Sequence, residues 1–318
     1  MSGSLGTATT VRPPGSDSDL GERSAAQQRT KTPYEWPARA FSLPAVLLVA
    51  LLLYLPFVWT TYISFTDYNG LGSPVWVGLS NYRDMVSDSV FLTAVGNTLL
   101  WVVGSITLPV ALGLLIAVLT YGRRFGTLIR LPFLIPYAVS GVAVGVIWGF
   151  VLQTQGALGQ VLEFLNLPGA STRWLLEGPL NTFIMIGAAS WQIVGVNALL
   201  FVIGLQSIPR EPVEAARLDG ATGWTMFRCI VWPQMRALTT VVIGLSIVAS
   251  LKTFDIVWIM TQGGPGRVSE TLALTMYRET FVLSDYGQGA AIAVFLSVVT
   301  FAASIIYLRR QLSGRATS

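Results

Sequence analysis

EAARLDGATGWTMFRCIVWPQM, Glu214 to Met235, places Glu214, Arg217, Asp219 and Arg228 between two long apolar runs. Charged residues make up only 11% of the 318-residue chain and hydrophobic residues 53%. The mean hydropathy is +0.61. Soluble domains carry roughly 25% charged residues, so this composition is that of a membrane protein. The polar segment is the exception, and the fold follows from what flanks it.

A bilayer core of about 30 Å takes about 20 apolar helical residues. Residues 40–66, 89–122, 131–162, 178–209 and 286–308 contain no Asp, Glu, Lys or Arg, and 237–261 is equally apolar apart from Lys252 and Asp255. The fold class is therefore all-α: a polytopic membrane protein of about six transmembrane helices. Runs such as AVLLVALLLYLPFVW lack the alternation of a closed barrel. Pro109, Pro132 and Pro136 predict bends in the second and third spans. Gly141, Gly145 and Gly149 recur on one face of the third, where a neighbouring helix can approach closely.

With six spans and a cytoplasmic N-terminus, the inner segments collect Arg12, Arg23, Arg29, Lys31 and Arg39, then Arg123, Arg124 and Arg130, then Arg210, Arg217, Arg228 and Arg236, then Arg309, Arg310 and Arg315. Only Arg83, Arg173, Arg267 and Arg278 fall outside. The positive-inside rule thus sets both termini in the cytoplasm. Residues 1–38, rich in Ser, Thr, Gly and Pro and without periodicity, read as a disordered cytoplasmic tail, and 39–318 as one membrane domain. The first apolar run is too long for a cleavable signal. One cysteine, Cys229, and no histidine leave no intrachain disulfide and no ligand set for zinc or haem. The basic residues gather beside the spans, which reads as topology and not as a nucleic-acid surface.

This topology makes 208–236 the largest cytoplasmic loop. Pro212 suits a first helical turn, Glu211 and Glu214 complement the positive end of the helix dipole, and Gly220 supplies a left-handed cap after about two turns. Ala215 and Ala216 keep the helix surface low. Beyond Gly220, Thr222 is a candidate N-cap, Phe227, Ile230 and Val231 share a face, and Pro233 marks the turn into the fifth span. By pattern alone the segment equally suits an interfacial helix lying on lipid. Its acidic start opposes that, because inner-leaflet lipids are anionic.

Glu214-Ala215-Ala216, Asp219-Gly220-Ala221, Phe227, Ile230 and Pro233 resemble, in order and spacing, the EAA loop of permease subunits of binding-protein-dependent ABC importers. The family pattern has a second proline four residues after the first. Ala237 stands there in this chain, a departure confined to the loop's exit. A second resemblance narrows the subclass. LKTFDIVWIMTQGGPGRVSETLALTMYRETF (Leu251 to Phe281), Asn97-Thr98, WQIVGVNALLFVIGLQSIP and DYGQGAAIAV are similar to maltose-type carbohydrate permeases, in particular the first of the two unlike permeases of such systems.

The resemblance implies a type I ABC importer permease fold in a bacterial plasma (inner) membrane. It implies that Glu214, Ala215, Ala216, Asp219, Gly220, Ala221 and Phe227 form a coupling helix that docks into a soluble ATPase. It further implies a heterodimer with a second, homologous permease, two ATPase subunits holding ATP and Mg, an extracytoplasmic solute-binding protein meeting the outer region, and a carbohydrate substrate.

Lys252 and Asp255 are costly in lipid, about 2.5 to 3.5 kcal/mol each near a helix centre. On one continuous fifth helix they stand i, i+3 and can pair, roughly 22 Å and 27 Å along it. They are either a self-neutralised pair that snorkels outward or part of a solvated passage with Trp258. Trp191, Gln192 and Asn197 add polar or amphipathic groups from the fourth helix, where interhelical packing is the alternative. Carboxylates and amides bind sugar hydroxyls, and aromatic faces cover sugar C–H faces.

No G-x-x-x-x-G-K-[ST] loop occurs, and the only lysines are Lys31 and Lys252. The chain reads as a non-catalytic subunit with any ATP hydrolysis on a partner. The competing readings are an ion-coupled secondary transporter with Asp255 as carrier and a structural or signalling membrane subunit.

Overall fold

A computed structural model describes residues 35–315. The described residues up to Phe57 and those from Val58 onward fall into two compact units. In the first, α1 spans Glu35–Val49 and leads through a π turn, Ala50–Tyr54, to the start of α2, Leu55–Ile63, most of which belongs to the second unit. The helix therefore includes residues 35–38, which the sequence assigns to the tail, because Pro37 falls in the first turn, where a proline is tolerated. The rest of that tail, residues 1–34, lies outside the described residues.

In the second unit a two-residue hairpin, β1 (Thr66–Asp67) and β2 (Val75–Trp76), pairs Thr66 with Trp76. Asn81 at the start of α3 (Ser80–Ser87) holds the hairpin, its Nδ2 donating to the Ser64 and Thr66 carbonyls at 3.0 and 2.9 Å. Asp88 then caps α4 (Ser89–Thr120) by accepting from Val90 and Phe91 amides. This 32-residue helix runs unbroken through Pro109.

The third apolar run is not one helix. It divides into α5 (Gly126–Leu134) with a 3-10 turn, Ile135–Ala138, and α6 (Gly141–Val151), and the two parts are bent by 100°. Pro136 cannot continue the hydrogen-bond ladder, and Ser140, in extended conformation, starts a new helix by capping the Ala143 amide at 3.2 Å. α6 ends at Val151, and α7 (Ala157–Phe164) is a separate short helix.

α8 (Leu180–Gln206) lies along α4. At their contact, Gly113 faces Asn197, and a Cβ on the glycine would stand 2.6 Å from the asparagine Cβ. α9 spans Arg210–Leu218, and α10 (Gly223–Met226), a π turn (Phe227–Val231) and α11 (Trp232–Leu251) form one continuous helix. Pro233 thus does not mark a turn between segments. The π turn, in which the Trp232 amide reaches back to the Phe227 carbonyl, widens the helix just before the proline ring. Thr222 does occupy the N-cap, but its side chain makes no capping bond.

The fifth apolar run also breaks. α11 ends at Leu251 and α12 (Asp255–Met260) begins after Lys252-Thr253-Phe254. α13 (Leu272–Tyr277) continues into a π turn, Arg278–Val282, and α14 (Tyr286–Arg315) closes the described chain. Among the described residues, five helices are long and apolar enough to cross a membrane, or six if the bent α5–α6 pair is counted as one span.

Apolar side chains on α4, α8 and α11 (Val110, Ala117, Phe201, Val202, Met235, Val242) make one core. Trp101, Val144, Met185, Ile256, Val257 and Leu274 make another where α6 and α12 join the bundle.

Candidate functional site

Two groups of candidate residues lie at different places in the second unit. At the polar loop, the end of α9 follows from one glycine. Gly220 has φ +82°, its amide donates to the Arg217 carbonyl at 3.0 Å, and the next amide, Ala221, donates to the Ala216 carbonyl at 2.8 Å. This is the two-bond closure that a left-handed residue after a helix permits. Ala216 is buried against the chain, whereas Glu214, Ala215 and Asp219 are exposed. Ala221 and Phe227 are half-buried. Two apolar side chains flank the bend in the open: Leu218, 90% exposed, and Trp224, 70% exposed. Trp224 stacks on Phe227 with centroids 5.5 Å apart.

The other group surrounds a half-open cavity of about 380 Å³ lined by α4, α8, α11 and the breaks before α6 and α12. Gln192, Asn197, Lys252 and Asp255 all line it, together with Trp101 and Tyr137. Lys252 and Asp255 are not the i, i+3 pair of one helix that the sequence suggests. Lys252 caps α11 and Asp255 opens α12, and no ion pair joins them among the described residues. The Asp255 carboxylate also meets the start of α6, since a Cβ on Gly141 would stand 3.4 Å from Oδ2. An anion is favoured beside two helix N-termini.

Gln192 serves the break itself, donating Nε2 to the Val139 carbonyl at 2.6 Å. Asn197, only 4% exposed, leaves its Nδ2 without a partner, as Trp101 leaves its Nε1. Gly145 packs α6 on α12, where a Cβ would meet Ile259 at 3.0 Å, but Gly149 faces open space.

Beyond α12, a third cluster appears that the sequence reading missed. Glu270, with 0% exposure, receives Arg267 through two bonds, Nε to Oε1 at 2.9 Å and Nη2 to Oε2 at 3.0 Å, and the Thr275 hydroxyl at 2.9 Å. Arg278 Nε lies 2.7 Å from Glu270 Oε1 but off its N–H direction, so this contact is ionic and not a directed hydrogen bond. Glu279 takes another contact from Arg267 at 3.0 Å. Burial would lower the Arg267 pKa, but the bonds to Glu270 and Glu279 outweigh it and hold the guanidinium above its ordinary value.

Residues 109–316 match the family of binding-protein-dependent transport system inner membrane components. The chain belongs to this family. A probable ABC transporter permease protein of Pyrococcus horikoshii is 34% identical over 277 residues, covering 86% of this chain and 95% of the relative. An alpha-glucoside transport system permease protein of Rhizobium meliloti is 34% identical over 265 residues, covering 81% and 77%. The fold matches a chain in a bacterial alginate ABC transporter crystallised with an alginate pentasaccharide-bound periplasmic protein, with TM-score 0.74 at 19% identity, covering 86% and 92%.

In this transport-system permease, four of the six pathway candidates thus share one cavity. The two tryptophans do not. Trp191 meets Trp148 edge-on at 5.9 Å, and Trp258 stacks with Phe254 and packs against Tyr277. Trp191 keeps 40% of its surface exposed and Trp258 is half-buried. Trp101 went unnoticed because an apolar residue in an apolar run carries no signal of its own, whereas Leu218, between Arg217 and Asp219, and Trp224 stand out as apolar residues in the polar segment. For Glu270 the available signal was a carboxylate with Arg267 three residues before it and Arg278 eight after it.

Proposed function

We propose that this permease is one of two membrane-spanning subunits of an ATP-driven importer for a sugar, oligosaccharide or related polyol. The observation that carries the reading is the cavity at the two helix breaks, where an amide, a lysine and a carboxylate from α8, α11 and α12 converge. Unpaired charges and buried donors in an apolar bundle are costly unless a polar ligand or water uses them. The named solutes of its relatives, an alpha-glucoside and alginate, are rich in hydroxyls.

In this reading α9 and the Gly220 bend, with Glu214, Ala215, Ala216, Asp219, Ala221 and Phe227, dock into a separate ATPase that holds ATP and Mg. Both termini lie in the cytoplasm. A second, similar permease completes the path, two ATPase subunits drive it, and an extracytoplasmic binding protein delivers solute. Closure of the ATPase pair moves α9 and switches the bundle between inward and outward opening, a rigid-body transition between two packings.

The test is to purify the complex from its native membrane, identify the co-purifying chains, and measure ATP turnover with maltose, glycerol and alginate oligosaccharides. Co-purification of an ATPase and stimulation by one of these solutes is expected. Uptake that persists without any ATPase would replace this reading with ion-coupled transport through Asp255.

A further inference from the structure

Among the described residues Glu270 is the one charged side chain that is fully buried. Stability does not explain its retention, because exchanging a buried ion pair for well-packed apolar residues is often neutral or stabilising. What such a cluster does is admit one arrangement. Arg267, Arg278 and Thr275 hold the carboxylate, and Gly263 leaves the space for it: a Cβ there would collide with Glu270 Cγ.

The segment closed by this cluster is tied to its surroundings on either side of the carboxylate. Asn97 on α4 donates Nδ2 to the Val268 and Glu270 carbonyls at 2.7 and 2.9 Å, and Thr98 Oγ1 accepts from the Leu272 amide at 3.0 Å. Between them, Thr271 Oγ1 donates to the Thr253 carbonyl at 2.7 Å. That carbonyl sits in the break between α11 and α12, between Lys252 and Asp255. A carboxylate held from several sides thus fixes the adjacent residue, and that residue holds the break.

We propose that Glu270 is a positioning residue for the solute path: its arginine-bound carboxylate sets Thr271, and Thr271 sets the α11–α12 break that presents Lys252 and Asp255 to the cavity. This rests on the cavity being part of that path. The inference concerns geometry at a distance, so its test reads the cavity and not only transport.

In the assembled complex, Lys252→Cys provides a thiol at the break, and a water-soluble thiol reagent reports its accessibility. Labelling of the same peptide after denaturation of the complex is the internal reference, and peptide mapping resolves position 252 from Cys229, which lies beside Phe227 in the proposed docking loop. Glu270→Gln weakens the hold of the arginines, and Thr271→Val deletes the bond to Thr253 while leaving the ion cluster and the side-chain volume. Each is expected to change labelling at position 252, relative to the denatured reference, by about fivefold, the population change that one net hydrogen bond makes. In chains that keep Lys252, each should raise KM for transport at an unchanged yield of complex.

Labelling at position 252 that stays at the starting rate in Thr271→Val overturns the proposal, including where Glu270→Gln fails to assemble. Solute protection separates the two readings. If none of maltose, glycerol or alginate oligosaccharide protects position 252 with Glu270 and Thr271 intact, the cavity reading fails and the proposal with it. Protection together with unchanged labelling in Thr271→Val removes the proposal alone.

Discussion

Gly113 on α4 lies so close to Asn197 on α8 that no side chain fits between them: a Cβ on the glycine would stand 2.6 Å from the asparagine Cβ and 3.0 Å from the Ala198 amide nitrogen. The contact holds two long helices together beside the cavity that Asn197 lines. Gly113→Val should therefore push α4 from α8, at about 1 to 3 kcal/mol as overpacking usually costs. Thermal unfolding of the purified complex in detergent, with Gly96→Ala as control because an added Cβ there meets open space, would show it.

Asp255 stands at the starts of α6 and α12, so removing the charge while keeping the shape isolates its role. Asp255→Asn is expected to lower solute uptake by roughly tenfold, the loss of about 1.4 kcal/mol, with the complex assembling at normal yield. Unchanged uptake across the solute panel would return Asp255 to a purely architectural role.

At the polar bend, Gly220→Val places a β-branched residue at φ +82°. Left-handed backbone costs a substituted residue roughly 1 to 2 kcal/mol, so α9 should lose its closing bonds from Gly220 and Ala221. Co-purification of the ATPase should fall together with solute-stimulated ATP turnover. Retention of both would remove the docking role from this bend.

Leu218 and Trp224 are open to solvent, so changing them leaves the fold intact. If α9 docks as proposed, the double change Leu218→Asp and Trp224→Ala should weaken ATPase binding by at least about thirtyfold, the effect of a 2 kcal/mol anchor. Surface-captured permease titrated with the ATPase provides the measurement. Equal affinities would mean that neither side chain is an anchor.

Much of the fold was legible because long charge-free runs admit few structures in lipid. Gly220 was legible too, since a glycine after an acidic-start helix has one common use. The bend in the third span was legible from Pro132 and Pro136, though not its place at Val139-Ser140, and the break at Lys252-Thr253-Phe254 was not legible. The groups that satisfy the freed carbonyls come from elsewhere, Gln192 for Val139 and Thr271 for Thr253. The same distance hid the separation of Lys252 from Asp255, because helical spacing presumes a helix. Trp191 and Trp258 were chosen for what aromatic rings do with sugars. The rings they meet, Trp148, Phe254 and Tyr277, are set by packing and not by local sequence.

The continuity of Gly223–Leu251 has a mechanical meaning. At a rise of 1.5 Å per residue this rod is about 43 Å long, and it joins the solvent-facing Trp224 to the residue before Lys252 with no break between. Tilting such a lever by about 10° about its Trp224 end sweeps the far end sideways by about 7 Å. The π turn at Phe227–Val231 is then the place where strain would be absorbed or passed on.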